Sequence, residues 1–93
     1  MARTRGINKR APRIDIHQPA VLINADGVRS QVVVLDVSSG GFRLKVSDFL
    51  LRIGEFVTLR VEHSEEFPAQ IRWALGDEAG GIFLEPVAYE RWT

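Results

Sequence analysis

Turn signals interrupt this sequence about every ten residues, and that spacing limits the possible folds more than any other feature. Clusters of glycine, asparagine, aspartate, serine or glutamate occupy residues 24–27, 38–41, 63–66 and 76–81, and Gly54 stands alone between them. The intervals are short for helices and have the usual length of strands. A regular series of short strands is typical of an all-β barrel or sandwich.

The intervals between the turns alternate apolar and polar side chains. Val57 and Leu59 alternate with polar residues, and residues 42–46 and 69–73 repeat this pattern. A period of two places one face of a strand in the core and the other in water. By the same count, Trp73 is predicted to lie on the core face of its strand.

We predict six strands, at residues 19–24, 28–37, 42–46, 57–61, 69–73 and 81–85. Connections of hairpin length predict an antiparallel sheet, and closure into a barrel removes its exposed edges. Helix is scarce: residues 47–53 have room for one turn, and residues 86–92 for a short C-terminal helix with Pro86 at its first position. For a chain of 93 residues, the prediction is one all-β domain, a six-stranded antiparallel β-barrel.

The charge is distributed unevenly along the chain. Twelve basic and twelve acidic residues cancel, yet residues 1–13 contain five basic residues and no acid, so residues 14–93 carry a net charge of −5. We interpret residues 1–13 as a flexible basic arm and residues 14–93 as the barrel domain. This distribution suits a local anion site and lacks the overall positive charge of many nucleic-acid-binding proteins.

Several classes of chemistry are excluded or unsupported. The chain has no cysteine, which excludes disulfides, zinc–thiolate sites and thiol catalysis. His17 and His63 lack the spacing of metal ligands, and Glu65 and Glu66 are predicted to be solvated at a hairpin tip. We therefore expect no enzyme, no metal and no cofactor. No apolar run is long enough to cross a bilayer and no secretory signal is visible, so we expect a cytoplasmic protein without membrane insertion.

Two local motifs point to a ligand. The first is Lys9-Arg10-Ala-Pro-Arg13, in which the proline restricts the backbone. Guanidinium groups bind phosphate through paired hydrogen bonds, donate to the O6 and N7 edge of guanine and stack on purine faces. The alternative is a disordered basic terminus that only aids solubility.

The second motif, Asp36-Val-Ser-Ser-Gly-Gly41, lies between two predicted strands. The Asp36 carboxylate suits the paired N–H donors of a guanine, and Ser38 can donate to a phosphate or hold the turn. Gly40 and Gly41 permit positive φ and close approach of a ligand to the backbone. The alternative is an ordinary Asp/Ser turn that bonds its own backbone.

In this order, and in an all-β chain, the two motifs resemble the PilZ domain family, whose patterns are usually written RxxxR and DxSxxG. Asp36, Ser38 and Gly41 match the second pattern fully. In the first pattern, Arg13 matches the second arginine, whereas Lys9 replaces the first. Lysine keeps the positive charge but not the planar fork of a guanidinium. The resemblance covers nearly the whole chain.

PilZ domains bind the bacterial second messenger cyclic di-GMP. The resemblance therefore implies a receptor domain whose arm closes over cyclic di-GMP and which signals to a protein partner. The implied ligand-binding residues are Lys9, Arg10, Arg13, Asp36, Ser38, Gly40 and Gly41. Two alternatives stay open: a PilZ-like interaction adaptor that does not bind cyclic di-GMP, which Lys9 favours, and a small-barrel nucleic-acid binder, which the acidic body disfavours.

Overall fold

The computed structural model describes residues 13–47, 51–61, 65–85 and 87. It contains six strands: β1 (Ile14–Ile23), β2 (Arg29–Val37), β3 (Gly41–Val46), β4 (Phe56–Val61), β5 (Glu65–Leu75) and β6 (Glu78–Phe83). All neighbouring strands are antiparallel, and the sheet closes into a barrel in the order β1-β2-β3-β6-β5-β4. The predicted six-stranded antiparallel barrel is confirmed.

None of the described residues lies in a helix. Residues 51–53 enter a turn in which the Glu55 amide donates to the Arg52 carbonyl (3.1 Å), so this part of the predicted helical turn is wrong. The C-terminal helix predicted over residues 86–92 lies outside the described residues except for Val87. Residues 1–12 of the predicted arm also lie outside them.

The prediction of a hairpin tip at Glu65 and Glu66 is wrong. Both residues belong to β5, where they pair with Val61 and Arg60 of β4. This pairing places their backbone in the sheet while both side chains remain exposed, and a Glu66 carboxylate oxygen lies 3.7 Å from the Arg60 Nε. Polar composition alone therefore does not distinguish these two strand residues from a turn.

The core is filled by inward-facing side chains of all six strands. The largest fully buried ones are Phe42, Leu22, Leu44, Leu59, Ile71, Val34 and Val37. The rings of Phe42 and Phe83 have centroids 5.1 Å apart and join β3 to β6. This burial fixes the register, because a slip of one residue would turn the whole apolar set of a strand outward.

Register shifts interrupt the alternation in β1, β2 and β5. In β2, an unbroken alternation from Val34 would turn Asp36 into the core. The bulge between these two residues instead makes Val37 fully buried and places Asp36 opposite Arg43 of β3, on the outer face of the barrel. The bulge therefore creates the position from which this carboxylate reaches the outer surface.

The prediction that Trp73 packs in the core is also wrong. The bulge at Arg72 shifts the register, so that Trp73 lies opposite Gly80 on the outer face and keeps 39% of its surface exposed. Its indole covers Gly80 so closely that a Cβ there would overlap the ring. The alternation holds as far as Ile71 and fails after it, because one extra residue exchanges the two faces.

The packing around β6 can be tested at its two neighbouring glycines, Gly80 and Gly81. A Cβ at Gly81 would overlap the backbone carbonyl oxygen of Gln70 and lie 2.9 Å from the Phe42 ring, whereas a Cβ at Gly80 would meet the side chain of Trp73, which can rotate into solvent. We expect Gly81→Ala to lower the free energy of unfolding by about 2 kcal/mol or more, and Gly80→Ala by clearly less. Urea denaturation followed by circular dichroism measures both losses. Equal losses in the two variants would contradict this description of β6.

Candidate functional site

The Asp36 carboxylate is the centre of a charged cluster on the outer face of the barrel. Only 4% of the Asp36 surface is exposed. Its Oδ1 accepts from Nε (2.9 Å) and Nη2 (2.8 Å) of Arg13, which precedes β1. Its Oδ2 accepts from Nε (2.9 Å) and Nη2 (2.8 Å) of Arg43 on β3. Each carboxylate oxygen is thus bound by two nitrogens of one guanidinium, a strong charge-assisted arrangement.

Arg43 is a site residue that was not predicted from the sequence. It lies directly across from Asp36, and its Nη1 donates to Oε1 of Glu78 on β6 at 3.1 Å. The hydrogen bond and charge of Asp36 raise the pKa of Arg43 above its usual value, so this side chain is a permanent cation. A signal existed in the sequence: Arg43 alternates with the apolar Phe42 and Leu44, which predicts an outward side chain close to the DxSxxG motif.

The cluster belongs to a row of residues that crosses five strands. Directly paired neighbours connect Asp15, Asp36, Arg43, Gly80 and Trp73, and we call this set the outer row. Neighbouring strands lie about 4.8 Å apart, so the row extends for about 20 Å along the sheet. Because Gly80 has no side chain, the Trp73 indole lies over β6 and extends the outer row with an aromatic surface.

The loop between β2 and β3 is held by its own hydrogen bonds. The Ser38 Oγ accepts from the Gly41 amide (3.1 Å), and the Ser38 amide donates to the Gly41 carbonyl (2.8 Å). The Phe83 amide donates to the Gly40 carbonyl at 3.0 Å, which ties the loop to the end of β6. In this structure Ser38 therefore holds the turn, which is one of the two roles predicted for it.

The predicted reason for the two glycines needs correction. Neither Gly40 nor Gly41 adopts a positive φ. Glycine is required at position 41 by space, because a Cβ there would lie 2.8 Å from the carbonyl oxygen of Gly81 on the neighbouring strand. A Cβ at Gly40 would have no described atom within 4 Å, so that residue presents open backbone to solvent.

The structure brings some of the predicted site residues together. Arg13 and Asp36 are in direct contact, and the Ser38–Gly41 turn continues the same hairpin. Lys9 and Arg10 lie outside the described residues. The side chains of Arg13 and Arg43 keep 49% and 41% of their surface exposed, whereas the Asp36 side chain keeps 6%. Among Arg13, Asp36 and Arg43, the accessible groups are therefore the two guanidiniums, which suit an anion-binding surface.

A groove of about 990 Å³ lies elsewhere on the barrel. It is lined by residues of β1, β2 and β3, by Ser47 just after β3 and by Arg60 of β4, and it includes neither Asp36 nor either of its arginines. We therefore assign the candidate site to the open surface of the outer row and not to this groove. The described residues contain no group of three or more His, Cys, Asp or Glu side chains placed to hold a metal ion.

Comparison with known proteins assigns the family. A family model of the PilZ domain matches residues 8–88, which is most of the chain. The chain belongs to the PilZ domain family. A solved structure, the PilZ domain of CeSA from a cellulose-synthesizing bacterium, is similar to it with 27% sequence identity and a TM-score of 0.71, over 83% of this chain and 84% of that one. No curated protein matches this chain in a sequence comparison.

PilZ domains are binding and regulatory domains, known as receptors for cyclic di-GMP. The match to the PilZ model begins at residue 8 and so includes Lys9 and Arg10 as well as the DxSxxG motif. The described residues include no candidate for a membrane-spanning helix.

Removal of the central carboxylate should destabilise this PilZ domain. Asp36→Ala leaves two guanidiniums without their shared acceptor, and we expect the free energy of unfolding to fall by about 1–2 kcal/mol in urea denaturation at neutral pH. The loss stays moderate because both arginines are about half exposed and can regain water.

Asp77→Asn is the matched control for that prediction. The Asp77–Lys45 pair is 3.4 Å long and both side chains are about 60% exposed (61% and 59%), so its loss should change stability by less than about 0.5 kcal/mol. Equal losses in the Asp36 and Asp77 variants would show that the buried carboxylate has no special role in stability.

Proposed function

We propose that this chain is a PilZ receptor domain that binds cyclic di-GMP across the outer row. The observation that carries the proposal is the pair of half-exposed guanidiniums, Arg13 and Arg43, bound to the two oxygens of one buried carboxylate. Such a pair offers fixed positive charge and directional donors to a ligand with two phosphates and two guanines. Membership of the PilZ family supports this assignment.

In this proposal, Asp36 first binds both arginines and then exchanges Arg13 for a guanine of the ligand. Both of its oxygens are occupied by arginine nitrogens, two on each oxygen. A guanine that donates its paired N–H groups to Asp36 must therefore replace one of the guanidiniums. Arg13 is the one to leave, since it lies at the end of the arm, whereas Arg43 is fixed within β3. Once displaced, Arg13 is free to bind a phosphate of the same ligand.

Trp73 supplies a stacking surface at the other end of the outer row. Its indole lies over Gly80, which is the direct neighbour of Arg43. Every base has an aromatic face, so a guanine that reaches this position can stack on the indole. The ring and the arginines together match a ligand that alternates bases and phosphates.

The remaining predicted residues complete the site in the proposal. Lys9 and Arg10 add positive charge from the arm, which closes over the ligand. Ser38, Gly40 and Gly41 form the loop beside Asp36, and Gly40 presents open backbone there. Fixing the arm costs roughly 1–2 kcal/mol per residue, so its contacts with the ligand must exceed that cost.

The proposal includes signalling to a protein partner in the cytoplasm of a bacterium. Phe56 of β4, Ile82 of β6 and Leu84, which follows β6, are 58%, 37% and 46% exposed, and we call them the apolar strip. Phe56 and Ile82 both pair with Gln70 of β5, so they lie on the same face of the sheet with one strand between them. Exposed apolar surface of this kind is typical of protein interfaces.

The apolar strip also supports a second candidate function, an interaction adaptor that does not bind cyclic di-GMP. In both cases the closed barrel offers no strand edge within the described residues, so a partner must pack against side chains. The two functions differ in ligand binding alone, and one titration separates them.

Calorimetric titration with cyclic di-GMP is the decisive test of the proposed function. We expect the wild-type protein to bind at micromolar or lower concentration, and Arg13→Ala and Arg43→Ala to weaken binding by about tenfold or more, because each loses a charge-assisted contact. Arg29→Ala is the control, since it removes the same charge from the far end of β2. Unchanged affinity in both site variants would remove the outer row from the site, and no binding by folded wild-type protein would favour the adaptor.

Tryptophan fluorescence tests the stacking role of Trp73. The chain has two tryptophans, so Trp92→Phe isolates the signal of Trp73. In that variant, cyclic di-GMP should quench the emission, and Trp73→Ala should weaken binding by about tenfold because a stacked base is lost. Trp73→Phe, which keeps an aromatic face, should retain most of the affinity. Full affinity in the alanine variant would exclude stacking at this position.

A further inference from the structure

We infer that Glu78 is a built-in competitor for Arg43 and thereby sets the affinity of the outer row for anionic ligands. The inference rests on the proposed function and adds a residue that weakens the binding of the ligand. Glu78 is outside both PilZ motifs and belongs to β6, two residues before Gly80 of the outer row.

The two arginines of the site differ in what remains available to a ligand. Arg43 uses Nε and Nη2 on Asp36 and Nη1 on Glu78, so all three of its nitrogens have carboxylate partners. Arg13 uses Nε and Nη2 on Asp36, and no described residue accepts from its Nη1. A guanidinium has five N–H groups, so a phosphate can bind both N–H groups of Nη1 on Arg13, whereas on Arg43 it shares that nitrogen with Glu78 unless Glu78 leaves.

The exposure of the two carboxylates decides which of them leaves. The Glu78 side chain is 36% exposed, against 6% for Asp36. A carboxylate at a solvent-exposed ion pair is held weakly and regains water when it is released, whereas release of a buried one leaves an unpaired charge. Glu78 is therefore the displaceable partner and Asp36 the permanent one.

A second position for the Glu78 side chain is present on the neighbouring strand. Glu78 pairs directly with Lys45 of β3 and is only diagonal to Arg43, which pairs with Gly80. When a phosphate takes Nη1 of Arg43, the Glu78 carboxylate can turn towards the Lys45 ammonium. Glu78 then keeps a cationic neighbour while the phosphate is bound to Arg43.

The charge balance explains why this contact lowers affinity. Two arginines and two carboxylates make the cluster formally neutral, although a ligand with two phosphates carries two negative charges. Without the charge of Glu78, the group of Arg13, Asp36 and Arg43 would carry one net positive charge, with the exposed Asp15 carboxylate of the outer row as its acidic neighbour. Glu78 thus opposes the anion twice, by occupying a donor and by cancelling a charge.

The test compares Glu78→Gln with Asp77→Asn. Both substitutions remove one negative charge from adjacent residues and keep the side-chain shape, but Asp77 pairs with Lys45 and not with an arginine of the site. Calorimetric titration with cyclic di-GMP is made in 0.15 M salt, where charges farther apart than about 8 Å are screened. We expect Glu78→Gln to bind about two- to fivefold more tightly than wild type, and Asp77→Asn to gain clearly less, because it frees Lys45 for Glu78 but leaves the charge of Glu78 in place.

The outcomes separate this inference from the proposed function. Wild-type binding with no gain in Glu78→Gln beyond that in Asp77→Asn overturns the role of Glu78 and leaves the proposed function intact. Binding by Glu78→Gln alone supports the competitor while it rejects a cyclic di-GMP receptor of wild-type sequence. No binding by any of the three folded proteins overturns both.

Discussion

The outer surface of this barrel depends on one interaction, the pairing of the Asp36 carboxylate with Arg13 and Arg43. A buried carboxylate is stable only if its charge is paired and its oxygens accept hydrogen bonds, and here two guanidiniums meet that demand completely. The contact joins the end of the basic arm, 23 residues before Asp36 in the chain, to the hairpin of β2 and β3. The apolar core accounts for the closed barrel, whereas this contact holds two cations at fixed positions on its surface.

The bulges connect the core to that surface. In β2, both Val34 and Val37 are buried in the core. Residues three apart in a regular strand point to opposite faces, so a bulge is needed to bury both. The bulge between Val34 and Asp36 directs Asp36 outward. In β5 the same irregularity turns Trp73 outward after Ile71. Both Asp36 and Trp73 of the outer row thus follow an inserted residue. The bulges are therefore the places at which the barrel directs a charged and an aromatic side chain to its outer face.

The same departures explain how far the molecule can be predicted from its sequence. Strand number and antiparallel pairing follow from turn spacing and alternation, because both depend on local chemistry and on burial. The motifs of Arg13 and Asp36 predict one shared site, although they do not predict that the two side chains touch. The alternation of apolar and polar residues alone predicts that Trp73 lies in the core, because this pattern does not show where a strand contains a bulge. Gly41 is conspicuous in the sequence as a source of positive φ, whereas its actual reason, the close approach of a neighbouring strand, is visible only in three dimensions.

Within the proposed function, the full occupation of Asp36 couples the ligand to the arm. A guanine that takes the place of Arg13 exchanges one set of charge-assisted hydrogen bonds for another, and the released guanidinium regains such bonds on a phosphate. The number of charge-assisted hydrogen bonds is therefore nearly the same before and after the exchange, and the barrel core need not move. What must move is the arm, because Arg13 is its last residue. By linkage, any partner that holds the arm in one position changes ligand affinity by the same factor with which the ligand changes affinity for that partner. A rigid barrel can then transmit the presence of its ligand through the position of the arm alone.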